Sequence, residues 1–210
     1  MLPSSLPLEL PVGTPAVVVD PVRDFMHSKG TFTECFGLED TEPIRQILPR
    51  LREMIKKWRM KVYPILCQSL YEWDQFGVPG LENLCTQGNF LGREPMIPET
   101  CFRATITKPQ NSLYSAPREE ESKAWNYICR SRHLILTGVT TTSCIQRTVK
   151  DFPKGYTQMV IPRDAVASRA SRKSDEQAIL DYWSEERMTN VIVVPSWKNI
   201  KFKKAMLAPL

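Results

Sequence analysis

The sequence predicts an α/β protein built on a parallel sheet with helices on both faces. Short apolar, β-branched runs alternate along the chain with segments whose apolar residues recur at helical spacing. The runs "PAVVVD" and "VIVV" are apolar throughout, as strands buried on both faces are, rather than alternating like half-exposed antiparallel strands. At 210 residues the chain suits one core. Residues 1–210 are read as a single domain, with a proline-rich lead over 1–14 and a basic tail over 196–210.

The first strand is expected at 15–20, ending in an acid. Ile44, Ile47, Leu48, Leu51, Ile55 and Trp58 then recur at helical spacing, and Pro49 must either start the main helix or kink it. "KVYPIL" at 61–66 is a second strand weakened by Pro64. Residues 67–100 show little periodicity and are too long for an idle connector, so they read as a loop covering a site. "CFRATIT" at 101–107 fits a third strand, followed by a helix over roughly 118–130. "HLILT" at 133–137 is the fourth, and Ile145, Val149 and Phe152 mark the buried stripe of the helix after it, which Pro153 and Gly155 close. "YTQMVIP" makes strand five, "EQAILDYWSEE" a helix and "VIVV" at 191–194 strand six. Ligands of such sheets bind beyond the carboxyl ends of the strands.

Composition excludes several classes. With 42% hydrophobic and 24% charged residues the chain is globular in type. A net charge of +5 is modest and owes something to "KNIKFKKAMLAPL". Basic residues are not interleaved with stacking aromatics, so no nucleic-acid partner is expected. No apolar stretch approaches the roughly 20 residues of a membrane span, and the first residues lack a signal-peptide pattern, so no membrane partner and a cytoplasmic location are expected. The 6 cysteines stand singly, without a C-x-x-C pair, which argues for reduced thiols. Neither G-x-x-x-x-G-K-[ST] nor G-x-G-x-x-G occurs, and no cofactor is expected.

On this map Asp20, Lys108 and Cys144 fall at three strand ends on one edge. A helix N-terminus lowers a thiol pKa and a neighbouring ammonium lowers it further; Asp20 can shuttle the proton, and backbone N–H groups at the turn can hold an oxyanion. Each residue also has a plain structural reading: Asp20 as a helix cap or ion-pair partner, Lys108 as a solvated loop residue, Cys144 as core packing. His27 and His133 are the only histidines; the first, just past Asp20, reads as a surface residue with pocket lining as the alternative, and the second opens a strand at the opposite end.

Four collinear segments resemble the isochorismatase-like cysteine hydrolases, which include nicotinamidases, N-carbamoylsarcosine amidohydrolases and ureidoacrylate or biuret amidohydrolases. "AVVVDPVRDF" is similar to the first strand with its D-x-Q-x-D-F ending, "ITKPQNSLYSA" to K-x-x-x-S-A-F, and "LILTGVTTTSCIQRTVKDFPKGY" followed by "VIPRDAVAS" to the cysteine-bearing segment and its D-A-x-A-S sequel. The resemblance implies a three-layer α/β/α fold with a six-stranded parallel sheet of order 3-2-1-4-5-6. It implies a triad of Asp20, Lys108 and Cys144, with Lys108 stabilising the thiolate, a cis peptide between Val139 and Thr140, and an oxyanion hole from the Thr140 and Cys144 amides. It also implies a dimer or tetramer, with Trp197, Phe202, Met206 and Leu207 of the tail suited to a subunit contact.

Departures bear on the substrate. The family's Gln two residues after the aspartate is Val22 here, its Asp two before the cysteine is Thr142, and "LCQSLYEWDQFG" lacks the histidines that bind metal in nicotinamidases. The expectation is therefore a metal-independent cysteine amidohydrolase acting on a small amide or ureido compound through a thioester. Phe25, Tyr71 and Trp73 are its candidate pocket walls, with plain packing as the other reading of each. The alternatives are a binding or scaffold protein on the same fold, or a hydrolase of an ester or vinyl ether.

Overall fold

The computed structural model describes residues 7–117, 123–152, 158–185 and 190–204. Its elements are β1 (Leu8–Pro11), β2 (Thr14–Val19), α1 (Arg23–Met26), α2 (Thr31–Phe36), α3 (Leu38–Gln46), α4 (Leu48–Trp58), β3 (Val62–Ser69), β4 (Ala104–Lys108), α5 (Lys123–Arg130), β5 (His133–Val139), α6 (Gln146–Asp151), β6 (Gln158–Pro162), β7 (Val166–Ala167), α7 (Lys173–Ser184), β8 (Val191–Val194) and β9 (Ile200–Lys203). The main sheet runs β4-β3-β2-β5-β6-β8, every neighbouring pair parallel, and β7 adds a short pairing to β5. Counted in chain order, that path is the expected 3-2-1-4-5-6.

Strand β2 is buried at every position, and its two-residue period divides the core. Ala16 and Val18 face Ile44, Leu51, Met54 and Ile55 of α3 and α4. Val17 and Val19 face Ala124, Trp125 and Ile128 of α5, Val149 of α6 and Leu180 and Trp183 of α7. Two helix layers thus cover the sheet. In α4 the buried residues are Leu48, Leu51, Met54, Ile55 and Trp58, one stripe, and Pro49 starts the helix in its first turn, where no intrahelical N–H is required.

Pro64 lies inside β3, in the body of the sheet, where sequence reasoning expected a weak and shorter strand. Its carbonyl accepts from Arg103 N–H at 2.9 Å, just before β4 begins, so the position lacking an N–H faces the side on which no ladder partner has yet started. The strand therefore continues to Ser69, and β4 starts at Ala104 rather than 101, after a 3₁₀ turn at Glu99–Cys101. The start of the helix expected over 118–130, the first two residues of strand five, and the closing Pro153 and Gly155 lie outside the described residues.

The two ends of the chain depart from expectation. β1 and β9 pair in parallel as a separate small sheet, so part of the lead is a strand held by the tail. Trp197 and Phe202 pack edge-on against Trp58 of α4, with ring centroids at 5.7 and 5.3 Å. Trp197 is buried in, and Phe202 packs partly buried against, the protein's own core; Met206 and Leu207 lie outside the described residues. Among the described residues no helix is long and apolar enough to cross a membrane.

Gly138, near the end of β5, has φ +106°, and a Cβ there would stand 2.1 Å from the Val19 carbonyl oxygen. Its lack of a side chain lets β5 close against β2 just before Asp20. Gly138→Ala is expected to lower stability by about 1–3 kcal/mol, read as a shift in the urea unfolding midpoint.

Candidate active site

The carboxyl ends of β2, β3, β4 and β5 meet at one edge, and each delivers one polar group. Asp20 follows β2 with φ +50°, a left-handed conformation that aspartate tolerates, and its amide donates to Cys67 O at 2.7 Å. Lys108 ends β4 and pairs in register with Ser69 at the end of β3. Cys144 sits in a π-helical turn, Thr141–Ile145, between β5 and α6. The Val139–Thr140 peptide is cis, as expected.

Asp20 and Lys108 have no solvent exposure, and Lys108 Nζ lies 3.0 Å from Asp20 Oδ2. No hydrogen-bond donor is aligned on that oxygen, so the contact is one of charge on charge. Asp20 Oδ1 accepts from the Ser69 amide at 2.7 Å and from its hydroxyl at 2.9 Å. Lys108 donates to Ser69 Oγ at 2.5 Å, to Gln110 O at 3.3 Å and to Tyr71 Oη at 3.4 Å, and reaches Cys144 Sγ at 3.6 Å. Ser69 is thus a wedge between acid and base.

Burial would pull the Lys108 ammonium down, but Asp20 and then the Cys144 and Tyr71 groups push it up, and the balance lies well above the ordinary lysine value. For Cys144 burial pushes the thiol up, Lys108 pulls it down and Asp20 raises it again; the balance lies above the ordinary value. This corrects the expectation of a thiol activated by a helix N-terminus and of a thiolate stabilised at rest by Lys108. At 2% exposure the desolvation of a thiolate outweighs the nearby ammonium, whose charge is already matched by Asp20. Burial thus favours the Cys144 thiol over the thiolate.

Above the sulfur lies a cavity of about 220 Å³. Phe25, Phe32, Phe36, Tyr71, Phe76 and Leu84 form its apolar wall, while Asn111, Thr140, Thr142 and Ser143 surround Cys144 at its base. Of the expected walls, Phe25 and Tyr71 are present, whereas Trp73 is 69% exposed and does not line the cavity. The loop after β3 turns Tyr71 and Phe76 inward, in edge-on contact with centroids 4.8 Å apart, and leaves Trp73 outside. Arg169 and Arg172 close one side. Each faces a carboxylate, Arg169 on Asp40 at 3.0 Å and Arg172 on Asp175 at 2.7 Å, and the Arg169 guanidinium stands 3.7 Å from the Phe36 ring centroid.

The long loop is tied to the site by Asp24, a residue whose part the spacing did not reveal. Its Oδ2 accepts from the Cys85 amide at 2.6 Å and Asn89 Nδ2 at 2.8 Å, and its Oδ1 accepts from Thr31 Oγ1 at 2.8 Å. One buried carboxylate therefore holds both the start of α2 and the wall that carries Leu84. Ser69 and Asn111 were also missed. A signal for Ser69 existed: continuing the two-residue period of Ile65 and Cys67 past the apolar run puts Ser69 on the same face. His27 accepts at Nδ1 from the Lys29 amide and does not line the cavity; His133 opens β5 at the far end of the sheet.

No protein-family model and no curated protein matches the sequence. Solved structures do. They include N-carbamoylsarcosine amidase from Thermoplasma acidophilum, at 18% identity, covering 86% of this chain and 95% of that one with a TM-score of 0.64. An isochorismatase-like hydrolase from Alkaliphilus metalliredigens matches at 16% identity, 89% and 96% coverage and a TM-score of 0.67. The chain has the isochorismatase-like hydrolase fold. Pyrazinamidase from Pyrococcus horikoshii, in complex with zinc, shares this fold at 22% identity, 90% and 99% coverage and a TM-score of 0.63. Among the described residues no three His, Cys, Asp or Glu side chains gather into a group of the kind that holds zinc. Beside Asp20 the end of β3 supplies the hydroxyls of Ser69 and Tyr71 instead.

Removing one member of the buried ion pair leaves the other charge uncompensated. Lys108→Met is expected to cost about 3–5 kcal/mol of stability, measured by denaturant unfolding.

Proposed function

We propose that the protein is a metal-independent cysteine amidohydrolase that cleaves the C–N bond of a small amide or ureido compound. The observation that carries this reading is the burial of a carboxylate and a thiol, each within contact of one buried ammonium, beneath a partly open cavity. Isolated, such groups are costly to bury; together they move one proton between two neutral overall states.

Asp20 takes the proton from Cys144 Sγ, and the thiolate attacks the substrate carbonyl carbon. Lys108 remains charged and offsets the negative charge that passes from carboxylate to sulfur. The tetrahedral oxyanion is held by the amides of Thr140 and Cys144. In support, the Thr140 carbonyl accepts from Ser143 N–H at 3.2 Å and Ile145 N–H at 3.1 Å, two bonds that fix the turn carrying the Cys144 amide. Collapse breaks the C–N bond, and the leaving nitrogen takes the proton from Asp20 and departs as ammonia or amine. Water then attacks the thioester, Asp20 accepts its proton, the acid is released and Cys144 regains the proton.

The cavity narrows the substrate. Its volume of about 220 Å³ is below the ~300–1,000 Å³ of pockets for drug-sized ligands. The aromatic wall suits a flat, apolar body, and both arginines in the lining are already faced by carboxylates, so a neutral compound is accommodated without an uncompensated charge. An uncharged arenecarboxamide fits these demands best. A screen of small amides and ureas for ammonia release is expected to give activity on such compounds, and Cys144→Ala to remove it by at least about 10³-fold while thermal melting stays cooperative. Undiminished turnover in that variant overturns the reading.

A further inference from the structure

We infer that the Tyr71 hydroxyl is a further catalytic group of this site, a hydrogen-bond rotor that donates to Asn111 while Cys144 is a thiol and to the Cys144 sulfur once the thiol proton has left. The inference rests on the amidohydrolase reading and adds a residue to it. Tyr71 follows β3 and is 3% exposed. Its Oη lies 2.9 Å from Asn111 Oδ1, 3.7 Å from Cys144 Sγ and 3.4 Å from Lys108 Nζ.

Proton counting fixes what these contacts can be. Lys108 only donates, so its contact occupies a lone pair on Tyr71 Oη. The phenol has one proton, and around it stand the Asn111 carbonyl oxygen, the sulfur and the Ser69 hydroxyl, the last already accepting from Lys108 and donating to Asp20. A thiol sulfur is a weak acceptor, so at rest the proton goes to Asn111. A thiolate carries a full negative charge in a buried site, and a charge-assisted bond to it is about twice as strong as one to a neutral amide. When Asp20 takes the Cys144 proton, the phenol O–H therefore turns to sulfur. Only a hydrogen moves, by rotation about the C–O bond, because the ring is buried and set against Phe76.

The phenol gives a hydrogen bond and keeps its proton. Burial, reinforced by the neighbouring Cys144, holds the Tyr71 hydroxyl well above its ordinary value. When the thioester forms, the sulfur loses its charge and the O–H returns to Asn111. Tyr71 thus stabilises the sulfur only in the reacting state, which is where stabilisation accelerates a reaction.

The test needs no substrate. The rate of Cys144 alkylation by iodoacetamide is followed against pH in the full chain, with the modified peptide identified by mass spectrometry. The other groups facing the sulfur, Asp20 after β2, Lys108 on β4 and the buried thiols of Cys67 and Cys85, are the same in every variant. Tyr71→Phe keeps the ring and is expected to raise the midpoint by about one pH unit, making alkylation roughly tenfold slower on the acidic limb. Asn111→Ala removes the competing acceptor and is expected to lower the midpoint. Opposite shifts are not what a merely structural role for Tyr71 would produce. An unchanged midpoint in folded Tyr71→Phe overturns the inference; if that variant fails to fold, an unchanged or raised midpoint in Asn111→Ala does so. Unchanged midpoints with ammonia release intact sink the rotor alone. The expected shifts in a protein that releases ammonia from no amide sink the amidohydrolase reading and leave the hydrogen-bond assignment standing, and a Cys144 inert at every pH sinks both.

Discussion

A carboxylate and an ammonium with no access to water face each other at 3.0 Å across the ends of β2 and β4. Two such charges are tolerated only in good geometry and with their remaining valences satisfied. The Asp20–Lys108 pair therefore constrains much of what surrounds it. It needs β3 between the two strands to continue as far as Ser69, whose amide and hydroxyl both reach Asp20. It needs β2 to end in a left-handed aspartate, and a residue without a side chain on β5 so that the adjoining strand can approach. The parallel sheet supplies these conditions because all its carboxyl ends point the same way.

The same pair sets the state of the sulfur. Lys108 alone would favour a thiolate, as ammonium groups do at many reactive cysteines, but a matched Lys108 has little charge to spare. In the proposed mechanism, proton transfer from Cys144 to Asp20 would convert a carboxylate–ammonium pair into a thiolate–ammonium pair without changing the net charge of the pocket. Low dielectric and close spacing make that exchange less costly than forming a thiolate by loss of the proton to water. The turn that presents Cys144 is braced from the opposite side, where Ser168 accepts from the Thr142 amide at 2.9 Å and donates to its hydroxyl at 3.1 Å.

The alternation of strands and helices and the three strand-end residues were legible because they depend on local pattern: β-branched runs, helical spacing and the residues at the boundaries between them; the strand order came only from the family resemblance. Pro64 hid the last turn of the story at β3. A proline inside an apolar run reads as a strand weakness, and only the late start of β4 shows why the missing N–H does no harm. Ser69 and Tyr71 were consequently assigned to a loop, and Tyr71 was recognised as a wall but not as a hydroxyl beside the sulfur. Trp73 was misplaced for a related reason, since loop direction is set by the tertiary ties of Asp24 and by edge-on ring contacts rather than by composition. The upward shift of the Cys144 thiol was not legible, because its sign depends on burial and on the charges around the sulfur, neither of which is written in the spacing.

The central claim is that, beside the Asp20–Lys108 ion pair, burial holds the Cys144 thiol above its ordinary range. Its most direct measurement is a pH titration of ultraviolet thiolate absorbance, taken as the difference between the protein and its Cys144→Ala variant. The account predicts no thiolate signal at neutral pH and its appearance only above the range of an ordinary cysteine. A full thiolate signal at neutral pH would contradict it.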